Sequence, residues 1–299
     1  MVVIVAITIK EKRMNIELKK PVNDEALKDK VLGSLIGFAI GDAMGATTEF
    51  MDKEAIKAQH GELRDIIGGG WLHLMPGQVT DDTQMTMCII DTFLENGKQA
   101  MNLHRFKNTV ASKFVEWYKS NPPDVGNACR AGIERYMNLG LYMKTNNLTL
   151  GNGGLMRALP CYLMGNLMFN YAQNDITHNN AVCREFIKSY HETMDMAMNG
   201  GRFYNNAKAM EPLGKVHNTF YNARLYGLGC ETFEESIVRA VNDGGDADTI
   251  AAIAGSIAGM RCGFGAIPYR WVDRLDESLI RKMERFTDMV VKHREVLIK

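Results

Sequence analysis

The sequence has no excess of charge of either sign and no closely paired cysteines. Its 35 basic and 35 acidic residues give a formal net charge of zero, so no overall field would draw the protein to nucleic acid or to an anionic membrane. The six cysteines are widely spaced without a CxxC pair, which argues against a disulfide framework and a cysteine zinc site. We therefore expect reduced thiols, a cytoplasmic location and a small or locally presented ligand.

Long hydrophobic runs are also missing. Residues 2–9 are apolar, but they are too few to span a bilayer and are followed by four charged residues. We interpret them as a short strand or an ordered tail within an N-terminal extension of residues 1–24. No linker and no fixed-period repeat divides the remainder, so we expect one domain over residues 25–299 and no membrane partner.

Strand-like alternation is scarce, whereas apolar residues recur at helical spacing in many segments. Helices are predicted at residues 25–46, 83–96, 103–120, 126–139, 179–198 and 232–241, from near residue 248, and near the C-terminus. Turn signals rich in glycine, asparagine and proline separate several of these segments. The pattern predicts an all-α fold, namely a single compact multi-helix domain with functional loops.

Small residues fall four apart in two of the predicted helices, so each helix has one face that is nearly bare backbone. They are Gly33, Gly37, Gly41 and Gly45 in the first helix, and Ala251, Gly255, Gly259 and Gly263 in the second. Glycine costs roughly 1 kcal/mol at each interior helical position, so a compensating contact is required. We predict that the two helices cross closely in the core. Asp42, Asp246 and Asp248, within or heading them, argue against transmembrane helices.

Two short acidic clusters each follow a glycine-containing turn and head a predicted helix. They are residues 80–83, with the sequence TDDT, and residues 246–249, with the sequence DADT. Helix capping is one interpretation, because threonine and aspartate oxygens satisfy free N–H groups there. A cap needs one side-chain oxygen, however, and the two clusters together supply four carboxylates.

Four crowded carboxylates would repel one another, whereas two divalent cations roughly 4 Å apart would neutralise them. Oxygen ligands without clustered histidine or cysteine favour Mg²⁺ or Mn²⁺ over zinc. We therefore predict a binuclear metal site where these two helix N-termini meet. Glu49, just after the first glycine-striped helix, is a candidate fifth carboxylate.

Four motifs together resemble the ADP-ribosylglycohydrolase family, which includes the dinitrogenase reductase activating glycohydrolases. In chain order they are residues 41–45 (GDAMG) leading to Glu49, residues 80–83 (TDDT), residues 151–157 (GNGGLMR) and residues 244–249 (GGDADT). The likeness extends from about residue 28 to about residue 275. It implies a hydrolase that removes ADP-ribose from a modified acceptor.

The resemblance also implies two groups of site residues. Two Mg²⁺ ions, or Mn²⁺, would be bound by Thr80, Asp81, Asp82, Asp246, Asp248 and Thr249, with Glu49 as a metal-linked gate. The ADP-ribose pocket would be shaped by Asn152, Gly153, Gly154, Met156, Arg157 and His178. Glycines suit such a pocket, because backbone can approach a ribose or pyrophosphate only where no Cβ intrudes. An ordinary Asn-Gly turn and a purely structural histidine are the alternatives.

Asp124 follows a Pro-Pro pair and resembles the aspartate that the arginine-directed bacterial branch places near the scissile ribose. A helix cap is the alternative interpretation. The predicted catalytic set is Glu49, Asp82 and Asp124. In it, Asp82 or Asp124 assists the attack of water on the ribose.

The predicted function is Mg²⁺-dependent removal of ADP-ribose from modified protein side chains, with arginine favoured. The partner would be an ADP-ribosylated protein or a small ADP-ribose conjugate, and the protein would act as a monomer. Serine, O-acetyl and nucleic-acid conjugates stay open as acceptors. Two other functions stay open as well: a non-catalytic ADP-ribose-binding or structural relative, and a Mg²⁺-dependent nucleotide phosphohydrolase.

Overall fold

The computed structural model describes residues 23–97, 102–203 and 208–298. Within these ranges the chain forms thirteen α-helices and includes a 3₁₀ turn at Phe264–Ala266, and strand pairing is limited to two isolated bridges. The helices are α1 Asp24–Gly45, α2 Lys53–His60, α3 Asp81–Asn96, α4 Leu103–Lys119, α5 Asn127–Leu139, α6 Leu159–Leu163, α7 Leu167–Thr177, α8 Ala181–Met198, α9 Val216–Gly229, α10 Phe233–Val241, α11 Ala247–Cys262, α12 Tyr269–Val272 and α13 Glu277–Ile298. The predicted all-α class is confirmed.

Helices α1 and α11 cross with their backbones in direct contact. A Cβ added to Gly41 would lie 2.0 Å from the carbonyl oxygen of Ala251, and one added to Gly255 would lie 2.0 Å from that of Gly37. The prediction of a close crossing is confirmed, since no side chain fits between these backbones. The helices are antiparallel, so the C-terminal end of α1 meets the N-terminal end of α11.

The remaining predicted helices are found within two residues of their expected ends. Helix α4 shows why. Its N-cap Asn102 accepts hydrogen bonds from two backbone N–H groups of the first turn, and Phe106, Val110 and Phe114 recur at helical spacing on its buried face. An Asn-Pro-Pro sequence follows the helix and stops it.

Helices α2, α6, α7, α9 and α12 were not predicted, and α7 illustrates one reason. Its buried residues include Asn170, Gln173 and Asn174, so polar side chains point into the protein and interrupt the apolar stripe of the helix. Such burial requires hydrogen-bond partners. Gln173, for example, donates to the carbonyl oxygen of Gly154 at 2.7 Å.

Two further predictions concern membrane association and the N-terminal extension. Within the described ranges, no helix combines the length and the hydrophobicity that crossing a membrane would require. The predicted N-terminal extension lies outside the described residues up to residue 22, including the apolar residues 2–9. Its boundary at residue 24 stays a prediction.

Candidate active site

The N-terminus of α3 is organised by Asp42, a fully buried residue of α1. The Thr80 backbone N–H donates to Asp42 Oδ1 at 3.0 Å, and the Thr83 N–H donates to Asp42 Oδ2 at 3.0 Å. The Thr80 hydroxyl accepts the Asp82 N–H at 3.3 Å. Because these groups satisfy the free N–H groups of the helix, the carboxyl groups of Asp81 and Asp82 are not needed as caps. Both residues line a cavity instead.

The N-terminus of α11 brings the second acidic cluster to the same cavity. Asp246 makes no capping hydrogen bond with its side chain, and its Oδ2 accepts a hydrogen bond from Asn152 Nδ2 at 2.6 Å. The Thr249 hydroxyl lies 3.2 Å from Asp82 Oδ2. The two clusters, which are more than 160 residues apart in the chain, are therefore in direct contact.

Two further carboxylates complete the acidic group. One oxygen from each of Glu49, Asp124 and Asp248 lies within 4.8 Å of the other two. Asp124 is also within hydrogen-bonding distance of the Asp81 carboxyl group, and the Gly126 N–H donates to Asp81 at 3.3 Å. Like charges at such distances are stable only with protons or cations between them.

The acidic group lines a cavity of about 410 Å³, a volume in the range of small-molecule sites. Its acidic wall is formed by Glu49, Asp81, Asp82, Asp124, Asp246 and Asp248. The rest of the lining includes Cys129, Gly151, Gly153, Met156 and His178. Among the described residues that line the cavity, none is a lysine or an arginine. The site is therefore strongly acidic.

Burial raises the pKa of these carboxyl groups. Burial and the neighbouring acidic groups raise the pKa of Glu49 to about 8 and that of Asp81 also to about 8. Burial raises the pKa of Asp246 to about 6, while hydrogen bonds, including that from Asn152, act in the opposite direction. Holding these carboxyl groups together therefore costs electrostatic free energy, which a bound cation would reduce.

Asp82 gives the clearest indication of a metal site. Its Oδ1 is buried and has no hydrogen-bond partner among the described residues. Burial, followed by the charge of Asp248, raises its pKa well above the ordinary value. A buried carboxylate oxygen without a partner is costly, and an all-oxygen group of this kind suits a hard divalent cation. The residues present therefore fit a divalent metal site.

The loop of residues 151–154 needs its glycines. A Cβ on Gly153 would lie 2.7 Å from Cys129 Sγ, and one on Gly154 would lie 1.9 Å from Asn174 Oδ1. Gly153 lines the cavity, whereas Gly154 lies behind it. Beside them, the Asn152 backbone N–H donates to the carbonyl oxygen of Gly214 at 3.2 Å. The loop is thereby packed closely against its neighbours.

Arg157 and His178 occupy different positions relative to the cavity. His178 lines it, and burial, together with the positive charge of Arg157, lowers its pKa to about 3. Arg157 is fully buried and does not line it, and its Nε donates to Gln173 Oε1 at 2.7 Å. Thus Asn152, Gly153, Met156 and His178 face the cavity, while Gly154 and Arg157 support the wall from behind.

Comparison with known proteins assigns the family. The sequence pattern of the ADP-ribosylglycohydrolase family matches residues 23–213 and 205–297. The chain belongs to the ADP-ribosylglycohydrolase family. As a member of that family it is a glycosidic-bond hydrolase, so the predicted enzyme class is confirmed.

Relatives of this ADP-ribosylglycohydrolase span nearly the whole domain. An ADP-ribosyl-[dinitrogen reductase] glycohydrolase of Rhodospirillum rubrum is 34% identical over 295 residues, which cover 89% of this chain and 97% of that protein. An ADP-ribosylarginine hydrolase of Serratia proteamaculans is 29% identical, covering 83% of this chain and 75% of that protein. A solved structure described as an ADP-ribosylglycohydrolase-related protein complex superposes with a TM-score of 0.76 and 28% identity, covering 89% of this chain and 98% of that one.

Sequence reasoning missed two residues that position the site of this ADP-ribosylglycohydrolase. Asp42 is included in a family motif but was assigned no role in the site from the sequence, although a charge within the apolar stretch of residues 31–46 already calls for a buried partner. Trp71 donates from Nε1 to Glu49 Oε2 at 2.6 Å. No local signal identifies Trp71, because the contact joins two loops.

Proposed function

We propose that this ADP-ribosylglycohydrolase releases ADP-ribose from modified protein side chains, with arginine as the favoured acceptor, in a reaction that depends on two Mg²⁺ ions or on Mn²⁺. The observation that carries the proposal is the convergence of four aspartates, Asp81, Asp82, Asp246 and Asp248, on one cavity. The family supplies the reaction class. The acidic lining supports the dependence on divalent cations.

The proposed metal ligands are Asp81, Asp82, Asp246, Asp248 and Thr249, with Glu49 beside them. Thr80, the remaining predicted ligand, is fully buried at the start of α3 and does not line the cavity, so its role as a ligand stays a prediction. When bound, divalent cations would orient ribose hydroxyl groups and lower the pKa of water. The unpartnered Asp82 Oδ1 supports this assignment.

The side chains of the cavity have defined parts in the proposed reaction. Cleavage at the ribose C1″ develops positive charge on the sugar, which the surrounding carboxylates stabilise. We assign the base that takes the proton from water to Asp82 or Asp124. Asp124 is half-buried and within hydrogen-bonding distance of Asp81, so a proton can be held between the two. Gly153 lets the backbone approach the sugar or pyrophosphate, where no Cβ intrudes.

Two observations favour arginine as the acceptor. One relative is named as an ADP-ribosylarginine hydrolase. The cavity is lined by carboxyl groups and, among the described residues, by no lysine or arginine, which favours a cationic acceptor over a neutral one. The proposed partner is therefore an ADP-ribosylated protein or a small ADP-ribose conjugate. We further propose that the enzyme acts as a cytoplasmic monomer.

The test is an assay of the purified chain on ADP-ribosyl-arginine, ADP-ribosyl-serine and O-acetyl-ADP-ribose, with MgCl₂ or with EDTA. Mass spectrometry identifies the product. We expect free ADP-ribose, fastest from the arginine conjugate, and loss of turnover with EDTA. Asp81→Asn and Asp246→Asn should lose turnover and metal binding together. Asp91→Asn is the matched control, because Asp91 lies on α3 but pairs with Lys282 away from the cavity.

Other outcomes would support the other functions. Release of inorganic phosphate would identify a nucleotide phosphohydrolase. Binding of ADP-ribose without turnover of any conjugate would identify a non-catalytic relative. Full activity of Asp81→Asn in EDTA would overturn the metal assignment.

A further inference from the structure

The Thr177 hydroxyl group lies between a buried arginine and the histidine of the cavity wall. Arg157 Nη2 donates to Thr177 Oγ1 at 2.6 Å, and Thr177 Oγ1 lies 2.7 Å from His178 Nδ1. All three residues are at most 1% exposed. In the described part of the chain, the hydrogen-bond partners of Arg157 are neutral groups. Arg157 is thus a buried cation whose hydrogen bonds organise other side chains.

The hydrogen bond from Arg157 limits what the Thr177 hydroxyl can do toward His178. A guanidinium can only donate, so Thr177 Oγ1 must accept from Arg157, and its own hydrogen remains available. The nearby acceptors are His178 Nδ1 and Cys129 Sγ. Sulfur is the weaker acceptor, and Cys129 Sγ already takes an N–H of Arg157 at 3.4 Å. Donation of the hydroxyl hydrogen to His178 Nδ1 is therefore favoured.

The Nε2 side of the imidazole lies beside glycines that line the cavity. A Cβ on Gly151 would lie 3.1 Å from His178 Nε2, and one on Gly153 would lie 2.7 Å from His178 Cε1. The ring is also fixed through its backbone, because Asn174 accepts the His178 N–H at 2.7 Å and donates from Nδ2 to the His178 carbonyl oxygen at 2.6 Å. Burial keeps the imidazole neutral, with a pKa of about 3. A neutral imidazole that accepts at Nδ1 carries its hydrogen on Nε2.

We propose that Arg157 is a positioning residue that acts through Thr177 to hold His178 as the Nε2–H tautomer, so that His178 offers one fixed hydrogen-bond donor to an oxygen of the bound ligand. The inference deepens the proposed function, and it rests on that function in taking ADP-ribose as the ligand. It also explains why Arg157 is an arginine although it lies behind the wall. The guanidinium binds Gln173 and Thr177 at once, in a planar geometry that lysine cannot reproduce.

The tautomer can be observed directly on the whole protein. With ¹⁵N-labelled histidine, long-range ¹H–¹⁵N NMR spectra distinguish a protonated from an unprotonated ring nitrogen. The chain has seven histidines, and the resonance that is lost in His178→Gln identifies His178. We expect Nε2 protonated and Nδ1 unprotonated, with no change between about pH 5 and about pH 8. Protonation of Nδ1 in the wild-type protein would overturn the inference, whatever the variants do.

Three variants test the chain of hydrogen bonds. Thr177→Val removes the hydroxyl, and Arg157→Lys removes the planar fork. Each should convert the single tautomer into a mixture. Each should also weaken binding of ADP-ribose with MgCl₂, measured by calorimetry, by roughly tenfold, the scale of one hydrogen bond. Thr177→Ser keeps the hydroxyl and should restore both readouts. Thr287→Val is the matched control, since Thr287 is equally buried and its hydroxyl donates to Met283 of its own helix.

The outcomes separate this inference from the proposed function. Unchanged tautomers in Thr177→Val and Arg157→Lys, even with lower melting temperatures, would show a merely structural role and overturn it. Failure of the wild-type protein to bind ADP-ribose would instead contradict the proposed function, while the tautomer measurement would still decide the hydrogen-bond direction. If Thr177→Val fails to fold, the wild-type and Thr177→Ser spectra decide the question.

Discussion

The indole N–H of Trp71 donates a 2.6 Å hydrogen bond to Glu49 Oε2. This contact ties the loop of residues 61–79 to the carboxylate that approaches Asp124 and Asp248. Phe50, which lines the cavity, packs against the same indole, with ring centroids 5.4 Å apart. Its φ of 62° is uncommon for a bulky residue. The loop therefore contributes both to the carboxylate group and to the aromatic edge of the cavity.

Trp71→Phe should lower activity without removing the aromatic contact. The hydrogen bond from Trp71 opposes the rise in the pKa of Glu49, so its loss should raise that pKa further above about 8 and leave Glu49 more protonated at neutral pH. We expect kcat/KM near pH 7 to fall roughly tenfold, the scale of one hydrogen bond to a charged group. The loss should be partly recovered at higher pH.

The matched control for that variant is Trp117→Phe. Trp117 also donates from its indole, to Gln84 Oε1 at 2.7 Å, but neither residue lines the cavity. Its pH–rate profile should match that of the wild-type enzyme. If the pH–rate profile of Trp71→Phe equals that of the wild-type enzyme, the hydrogen bond from Trp71 does not affect the protonation of Glu49.

Asp42→Asn should weaken metal binding although Asp42 does not line the cavity. Both carboxylate oxygens accept backbone N–H groups at the start of α3. In the asparagine variant an NH₂ group replaces one of these oxygens, so two N–H donors would face each other. We expect a loss of about 1–3 kcal/mol in the free energy of unfolding. Mg²⁺ affinity, measured by calorimetry, should fall with it. Asp29→Asn is the control, because Asp29 accepts the Gly265 N–H at an exposed position of the same helix. Equal effects of the two variants would argue against a special role for Asp42.

The stability of the cation-free protein should fall as the pH rises. Glu49 and Asp81 have pKa values of about 8 in the folded protein, above their ordinary values of roughly 4 in the unfolded chain. The folded state therefore binds more protons, and its extra stability, complete below about pH 4, is lost as the pH rises through about 8. We expect the melting temperature in EDTA to be lower at about pH 9 than at about pH 6.

Added MgCl₂ should raise the melting temperature more at the higher of these pH values, because fewer protons then compete for the carboxylates. Asp81→Asn should flatten the pH dependence in EDTA. A melting temperature in EDTA that rises over the same interval would contradict the electrostatic account of the cavity.

Gly255→Ala should destabilise the fold by at least about 2 kcal/mol, the cost of overpacking a close backbone contact. The added Cβ would lie 2.0 Å from the Gly37 carbonyl oxygen, so α1 and α11 would have to separate. Gly229→Ala is the control, since its nearest new contact is 3.6 Å away. Denaturant unfolding of both variants gives the comparison. Equal stabilities would show that the helices separate at no cost.

The sequence predicts those features of the protein that depend on local patterns of residues. The glycine spacing of α1 and α11 predicts their crossing, because glycine inside a helix needs a compensating contact. The repeated acidic clusters at two helix starts predict that Asp81 and Asp246 converge. Asp124 and residues 151–157 could be assigned to this site only through the family resemblance, since their loops carry no periodic signal.

The parts that escaped prediction are those decided by tertiary contacts. Helix α7 turns amide side chains inward to Arg157 and Gly154, so polar residues interrupt its hydrophobic pattern. Whether Arg157 touches the ligand or lies behind the wall depends on how the loop of residues 151–157 turns against α7. Trp71 reaches Glu49 across two loops, and no spacing in the sequence records that contact.

The direct backbone contact between α1 and α11 has a consequence beyond packing. Gly45 at the end of α1 lies against Ala247 at the start of α11, a few residues from Glu49 on one side and next to Asp248 on the other. Peptide groups rather than adjustable side chains thus set the separation of these two carboxylates. A single methyl group at position 45 would lie 2.5 Å from the carbonyl oxygen of Ala247, so it would push the two helix ends apart and change the distance between Glu49 and Asp248.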